Sequence, residues 1–491
     1  MSQPEVEPSE SLHKLLLSVR QSVALFATSL LLALVADGLF FGQRLGLNIS
    51  LFALIGAATL WAWTRHLKTQ LHPLLLGSFV LMACMFSWRD SLFLQVLNLS
   101  VQLFLGTLLT ARATHKALSQ TDFLELGLNA FRGLFNPVAG VVLFFTRSRW
   151  EDLTKRSNAK TLAFTVSSFR GLVLALPLIV IFGFLLSSAD ANFERLVQSL
   201  FSFELDRLLE HGFFTGFAGF VLLGVLTQSL VGSPWLQTKA HVPAALRVGN
   251  TEVGMVLGSL VFLFSAFMVL QFPYLFGGEG LLVGDLSYAS YAQRGFFELV
   301  TVTFLLHVVL LVGLWLSSAT SSFKLFRTLA TVLIALLFGI IWSAYSRLGL
   351  YIQTYGLTEL RYYSSAMTLW IGAAMLYFVL RLYYRKAARL AYAYLVLGVL
   401  GVTALYVSSP DARIAQVNLS RAETSELDLA YLERLSQDAV PVLAAYSRAY
   451  SDTPTAQRLS AILDRRYDQE DWRSFNWGRW RAQLSLEQLS P

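Results

Sequence analysis

Long apolar runs separated by short polar segments fill the chain from residue 21 to residue 408. A hydrocarbon layer about 30 Å thick is crossed by about 20 helical residues at about 1.5 Å per residue. By that measure eleven segments predict spans: 21–42, 45–64, 71–88, 90–110, 165–187, 212–232, 252–276, 297–317, 325–346, 362–383 and 388–408. Backbone N–H and C=O groups find no partners in hydrocarbon, so each span is expected to be a helix. The expected fold class is all-α: a polytopic transmembrane helical bundle of about eleven spans with a small helical C-terminal extramembrane domain.

Three stretches break the pattern. Residues 118–145 mix apolar side chains with Asp122, Glu125, Arg132, Asn136 and Pro137, too polar for lipid and too apolar for a free loop, which predicts an interfacial or re-entrant helix on the cytoplasmic side. Asp190 is placed to cap a helix over 191–211, whose Phe193, Leu196, Leu200 and Phe201 form one apolar face. From 409 onward Leu427, Tyr431, Leu432 and Leu435 keep helical spacing, and Trp472, Trp477 and Trp480 suit a lipid interface. The organisation expected is four spans over 1–110, a basic interfacial segment over 111–164, seven spans over 165–408 and an extracytoplasmic helical tail over 409–491.

Composition agrees with a lipid solvent. Only 14% of the residues are charged, against roughly 25% in soluble domains. The net charge of +7 could signal a nucleic-acid partner, but the basic residues lie in short runs between apolar segments and not in one stripe, so no nucleic-acid binding is expected. They report topology instead. With the N-terminus inside, the inner segments hold 21 Lys and Arg and the outer loops seven, namely Arg44, Arg89, Arg195, Arg207, Arg294, Arg347 and Arg361. Eleven spans then place the C-terminus outside, and the basic segment 111–164 would suit anionic lipid. The acidic start (Glu5, Glu7, Glu10) and the long run Val23 to Phe41 read as a retained first span, not a secretory signal.

Walker A loops, paired metal-ligating histidines and nucleophile elbows are missing from the sequence. None of the eight lysines follows a glycine, which removes a Walker A loop, and the seven histidines never stand four apart. The single cysteine, Cys84, forms no intramolecular disulfide and no thiolate cluster, and no cofactor is implied. Ionisable residues in or at the ends of spans carry more information, because charge there is paired or functional. These are Asp37, Glu252, Glu298 and His307. Two outer clusters stand out as candidate ligand-binding positions. Tyr291, Arg294 and Glu298 share a helix face at the start of the eighth span, and Arg347, Tyr351, Tyr355 and Arg361 surround the turn between the ninth and tenth. If the ninth helix continues past the membrane, Gly356 ends it and Thr358 caps the next. The structural reading of both clusters is a set of ion pairs and an aromatic belt fixing helix ends.

Five segments carry a family likeness: Leu185 to Asp190, Gln271 to Gly278, Tyr291 to Glu298, Arg347 to Arg361 and Pro410 to Ala415. Over roughly 165–440 the chain resembles the bacterial polytopic membrane family domain of unknown function 4173, with its relative 4153. The resemblance implies a multi-pass protein of the bacterial inner membrane and assigns no chemistry. Two readings stay open. One is a non-enzymatic component that binds a ligand, lipid or partner at its outer face, in envelope homeostasis or signalling; the alternative is a secondary transporter of a small, anionic solute, consistent with Pro177 and Pro273 in or near spans.

A reporter active only outside the cytoplasm, fused after Leu489, should give signal. A cytoplasmic reporter active at the same position would mean that a span has been miscounted.

Overall fold

The computed structural model describes residues 16–65, 73–110, 123–149, 205–232, 249–276, 296–317, 323–384, 390–421, 427–463 and 471–488, with isolated positions between 171 and 195. Most of the predicted fifth span, Tyr291, Arg294 and most of the amphipathic segment after Asp190 lie outside the described residues. Within them the protein is helical without a strand; one isolated bridge joins Leu17 to Ser148.

Ten of the predicted spans coincide with helices. These are α1 (Val19–Phe40), α2 (Leu47–Thr64), α3 (Pro73–Met85), α4 (Leu92–Thr110), α7 (Leu205–Val231), α8 (Asn250–Phe276), α9 (Phe296–Ser317), α10 (Phe323–Tyr355), α11 (Glu359–Tyr383) and α12 (Leu390–Ser408). Among the described residues nine helices are long and apolar enough to cross a membrane; α3, at 13 residues, is shorter. Their outward faces carry Leu31, Met255, Phe262 and Val269, which only a lipid solvent accepts in such number. This is a multi-pass membrane protein.

Several polar side chains within the spans turn back onto their own helices, while others such as Ser50 and Asn98 reach the carbonyls of a neighbouring helix. Ser29, Thr64 and Thr303 each donate to the carbonyl four residues earlier, at 2.8, 2.6 and 2.7 Å. Of the ionisable residues, Glu252 accepts from the Gly249 N–H at 2.8 Å at the start of α8, a helix-capping role. Asp37 lies 2.6 Å from His211, which stacks on Phe41, so the end of α1 is joined to α7.

The segment predicted to lie on the inner side forms two helices, α5 (Phe123–Gly133) and α6 (Asn136–Arg147). Phe131, Leu134, Phe135 and Val138 leave an apolar tip exposed between them, as in a re-entrant hairpin. At the other end of α6, the Arg147 carbonyl accepts from Leu17 N–H at 2.9 Å, beside the start of α1. Gly140 and Gly224 set its depth. A Cβ on Gly140 would strike the Gly224 carbonyl, and one on Gly224 the Pro137 carbonyl, so the α6 and α7 backbones touch.

Among the described residues the buried ones fall into three groups. The first joins α1 to α7 through residues such as Leu25, Met82, Leu105 and Phe144. The second gathers α8 to α11 around Leu257, Leu310, Phe326 and Phe378. α12 belongs to both, giving Leu395 and Val399 to the first and Leu390 and Tyr394 to the second. The third is the tail: α13 (Pro410–Leu419), α14 (Leu429–Arg434), α15 (Val440–Ala449), α16 (Pro454–Leu463) and α17 (Trp477–Glu487), packed around Ile414, Leu443 and Leu459.

Gly140→Val and Gly224→Val should each lower the melting temperature of the purified protein, the overpacking costing about 1–3 kcal/mol. Gly38→Val, at a helical glycine with open space around it, is the control.

Candidate functional site

The tail closes one face of the bundle. It meets the α1–α2 loop, where the Leu47 N–H donates to the Phe475 carbonyl at 2.9 Å and Arg473 donates to the Gly38 carbonyl at 2.8 Å. It meets the α3–α4 loop, where the Trp477 N–H donates to the Ser87 carbonyl at 2.7 Å and the Gly478 N–H to the Trp88 carbonyl at 3.1 Å. At the α10–α11 elbow, Asn418 accepts from the Leu357 N–H at 2.7 Å and donates to its carbonyl at 2.8 Å. Tyr431 Oη accepts from the Glu359 N–H at 2.7 Å. All three connections are outer loops in the predicted topology, and the tail gathers them at one end.

Charges hold the centre of this interface. Arg89 lies 3.6 Å from Asp438 and donates to the Tyr406 carbonyl at 2.9 Å. Its neighbour Asp90 pairs with Arg479 at 2.6 Å, while the Asp90 N–H donates to Asp438 at 2.8 Å. Arg479 also donates to the carbonyls of Leu45 and Ser474. A third carboxylate, Asp411, is 1% exposed and accepts from the Ser436 N–H at 3.2 Å. Burial pushes Asp438 up to about 6, with Asp90 and Asp411 adding repulsion against the opposing pull of Arg89. Burial and Asp90 also raise Asp411, and burial pushes Tyr431 up to about 12.

The predicted cluster after α10 is partly assembled. Gly356 takes φ +77 and ends the helix, as its position in the sequence implies. Tyr351 and Tyr355 stack edge-to-face at 5.0 Å, and the Arg361 guanidinium lies 4.0 Å from the Tyr351 ring. Arg361 donates to the Tyr355 carbonyl at 3.2 Å and to that of Gly356, so it closes the end of α10. Arg347 is buried one turn below Tyr351, and Glu298 is exposed in the first turn of α9. α9, α10 and α11 pack side by side. Thr358 stands at the N-cap of α11 as expected, but its side chain makes no capping hydrogen bond; the first N–H of the helix, that of Glu359, is taken by Tyr431 of the tail. Asp190 does cap its helix, accepting from the N–H groups of Asn192 and Phe193 at 2.8 Å.

Sequence reasoning did not select Arg89, Asp90, Asp438 or Arg479. The available signal was the adjacent pair Arg89–Asp90 in a loop of a few residues between apolar runs, where two charges need partners from elsewhere. Asp411 stands in one of the family-like segments, without a role. Among the described residues no group of three or more His, Cys, Asp or Glu is placed to hold a metal ion.

No curated protein and no solved structure matches the chain. The family described as domain of unknown function (DUF4153) matches residues 76–446, more than half of the chain. The match begins in α3, well before the 165–440 over which the likeness was legible, and it spans Arg89, Asp90, Asp411 and Asp438 but not Arg479. The chain therefore belongs to the DUF4153 family.

Proposed function

We propose that this is a non-enzymatic protein of the bacterial cytoplasmic membrane, with kinship to the 4173 family, whose tail-covered outer face binds a ligand, lipid or protein partner in envelope homeostasis or signalling. The observation that carries the reading is the buried charge cluster of Arg89, Asp90, Asp438 and Arg479. Buried ion pairs add little net stability compared with apolar packing, yet breaking one costs about 3–5 kcal/mol, so they serve where one arrangement must be held. Here they fix a helical tail onto the connections of α1–α2 and α3–α4, so whatever binds the tail pulls on the spans. The rim of this face offers Tyr355, 54% exposed, and the stacked pair Trp477 and Trp480. With Tyr291, Arg294, Glu298, Arg347, Tyr351 and Arg361 these form the candidate contact set, and the basic segment on the other side suits anionic lipid.

Tyr355→Ala should fold and melt like the parent but fail to restore growth under envelope stress to a strain lacking the gene. Arg89→Ala should fail as well, and with a lowered melting temperature. Full restoration by Tyr355→Ala, Arg347→Ala and Arg361→Ala, each folded, would overturn the reading.

The tail should also answer to pH. Asp438 titrates near 6 when docked against its ordinary 3.8, so docking takes up a proton between those values. Stability is therefore gained as pH falls through 6 and lost as it rises, by about 1.4 kcal/mol per pH unit inside that window. Amide exchange over 427–449, corrected for intrinsic rates, should be slower at about pH 5 than at about pH 7.5. Asp438→Asn should remove most of the difference.

A further inference from the structure

We infer that the seam between the two groups of spans is a binding site for one acyl chain of a bilayer phospholipid, entered sideways from the membrane. This is independent of the outer-face reading. A cavity of about 300 Å³ lies where α4 and α5 face α9, α11 and α12, walled by Phe104, Leu126, Phe304, His307, Trp370 and Tyr394. Its origin is in the packing. α9 packs on α10 and α11 while α4 and α5 pack on α12, so the two buried clusters meet across α12 without interlocking.

The walls are almost wholly hydrocarbon: the Tyr394 hydroxyl, the Trp370 indole N–H and one ring nitrogen of His307 are turned to other uses, and His307 Nδ1 is buried without a hydrogen-bond partner among the described residues. Tyr394 Oη lies 2.9 Å from His307 Nε2 and donates to the Ala374 carbonyl at 3.2 Å. The Trp370 indole N–H donates to the Leu397 carbonyl at 3.0 Å, leaving the ring as wall. An apolar cavity of half this size, about 150 Å³, stays dry and takes benzene, so water is a poor occupant and a methylene chain a good one. The bilayer is the source because of the mouth. Phe304 and Val308 line the cavity and are 47% and 39% exposed on the lipid-facing side of α9. A small anionic solute would find neither charge nor a water path in such a space.

The test uses the full chain in vesicles of phosphatidylethanolamine and phosphatidylglycerol doped with a phosphatidylcholine carrying a diazirine in one acyl chain. After illumination, adducts are mapped by mass spectrometry. Leu126 and Tyr394, both buried, should be labelled alongside lipid-facing Phe262. Ala374→Leu and Ala391→Leu fill the cavity from α11 and α12 and should cut labelling at Leu126 and Tyr394 by about tenfold, a difference of about 1.4 kcal/mol in binding, with Phe262 unchanged. Phe304→Trp narrows the mouth from an exposed position, and should act likewise even if both alanine variants fail to fold. Absence of adducts at Leu126 and Tyr394 in the parent would overturn the proposal, as would unchanged labelling in the folded variants. Adducts at these positions to a second copy of the chain would overturn it too, assigning the seam to self-association.

Discussion

In hydrocarbon there is no water to accept or donate a hydrogen bond, and every other feature of this protein is arranged around that constraint. Backbone groups are satisfied inside helices. Several serines and threonines bond the turn behind them, as Ser29 and Thr303 do. Ionisable residues that enter spans are tied to a partner or used as caps: Asp37 to His211, His307 to Tyr394, Glu252 to the first turn of α8. Chemistry that needs charge is displaced to the helix ends, and the tail collects much of it.

Two kinds of contact hold the tail there, and they differ in energetic character. Its own core, around Ile414, Leu443 and Leu459, is apolar and supplies folding free energy in proportion to area removed from water. Its contact with the bundle adds polar links to the apolar packing of Ile352, Leu357 and Tyr362: backbone carbonyls of three connections, Asn418 paired with both main-chain groups of Leu357, and the Arg89–Asp438 and Asp90–Arg479 pairs. Polar interfaces of this kind define register more than strength, because a misplaced partner leaves a buried charge alone. The raised Asp438 reports that tension directly, with desolvation outweighing the attraction of Arg89.

The spans themselves are joined unevenly. Where α6 crosses α7, two glycines bring the backbones into contact and the pair is tight. Across the seam at α12 the fit is open enough to leave a cavity, and Tyr394 on its wall is held by His307 and by a main-chain carbonyl as well as by the second apolar group. A tight half and a looser join, bridged by one helix and covered by a tail, give the protein a place where lipid and fold can influence each other.

Local signals along the chain specify the elements. Hydropathy placed ten spans that coincide with helices, Gly356 marked the end of α10, and Asp190 marked a helix start, because span length, left-handed φ and capping are local properties of a few residues. Which polar groups meet follows from the packing of distant segments. Arg89 finds Asp438, Asp90 finds Arg479 and Tyr431 takes the first N–H of α11, all across long stretches of chain. Periodicity says which face a residue lies on but not what stands opposite. Arg361 shows the limit: the sequence places it beside the turn, and only packing brings its guanidinium onto the carbonyls at the end of α10.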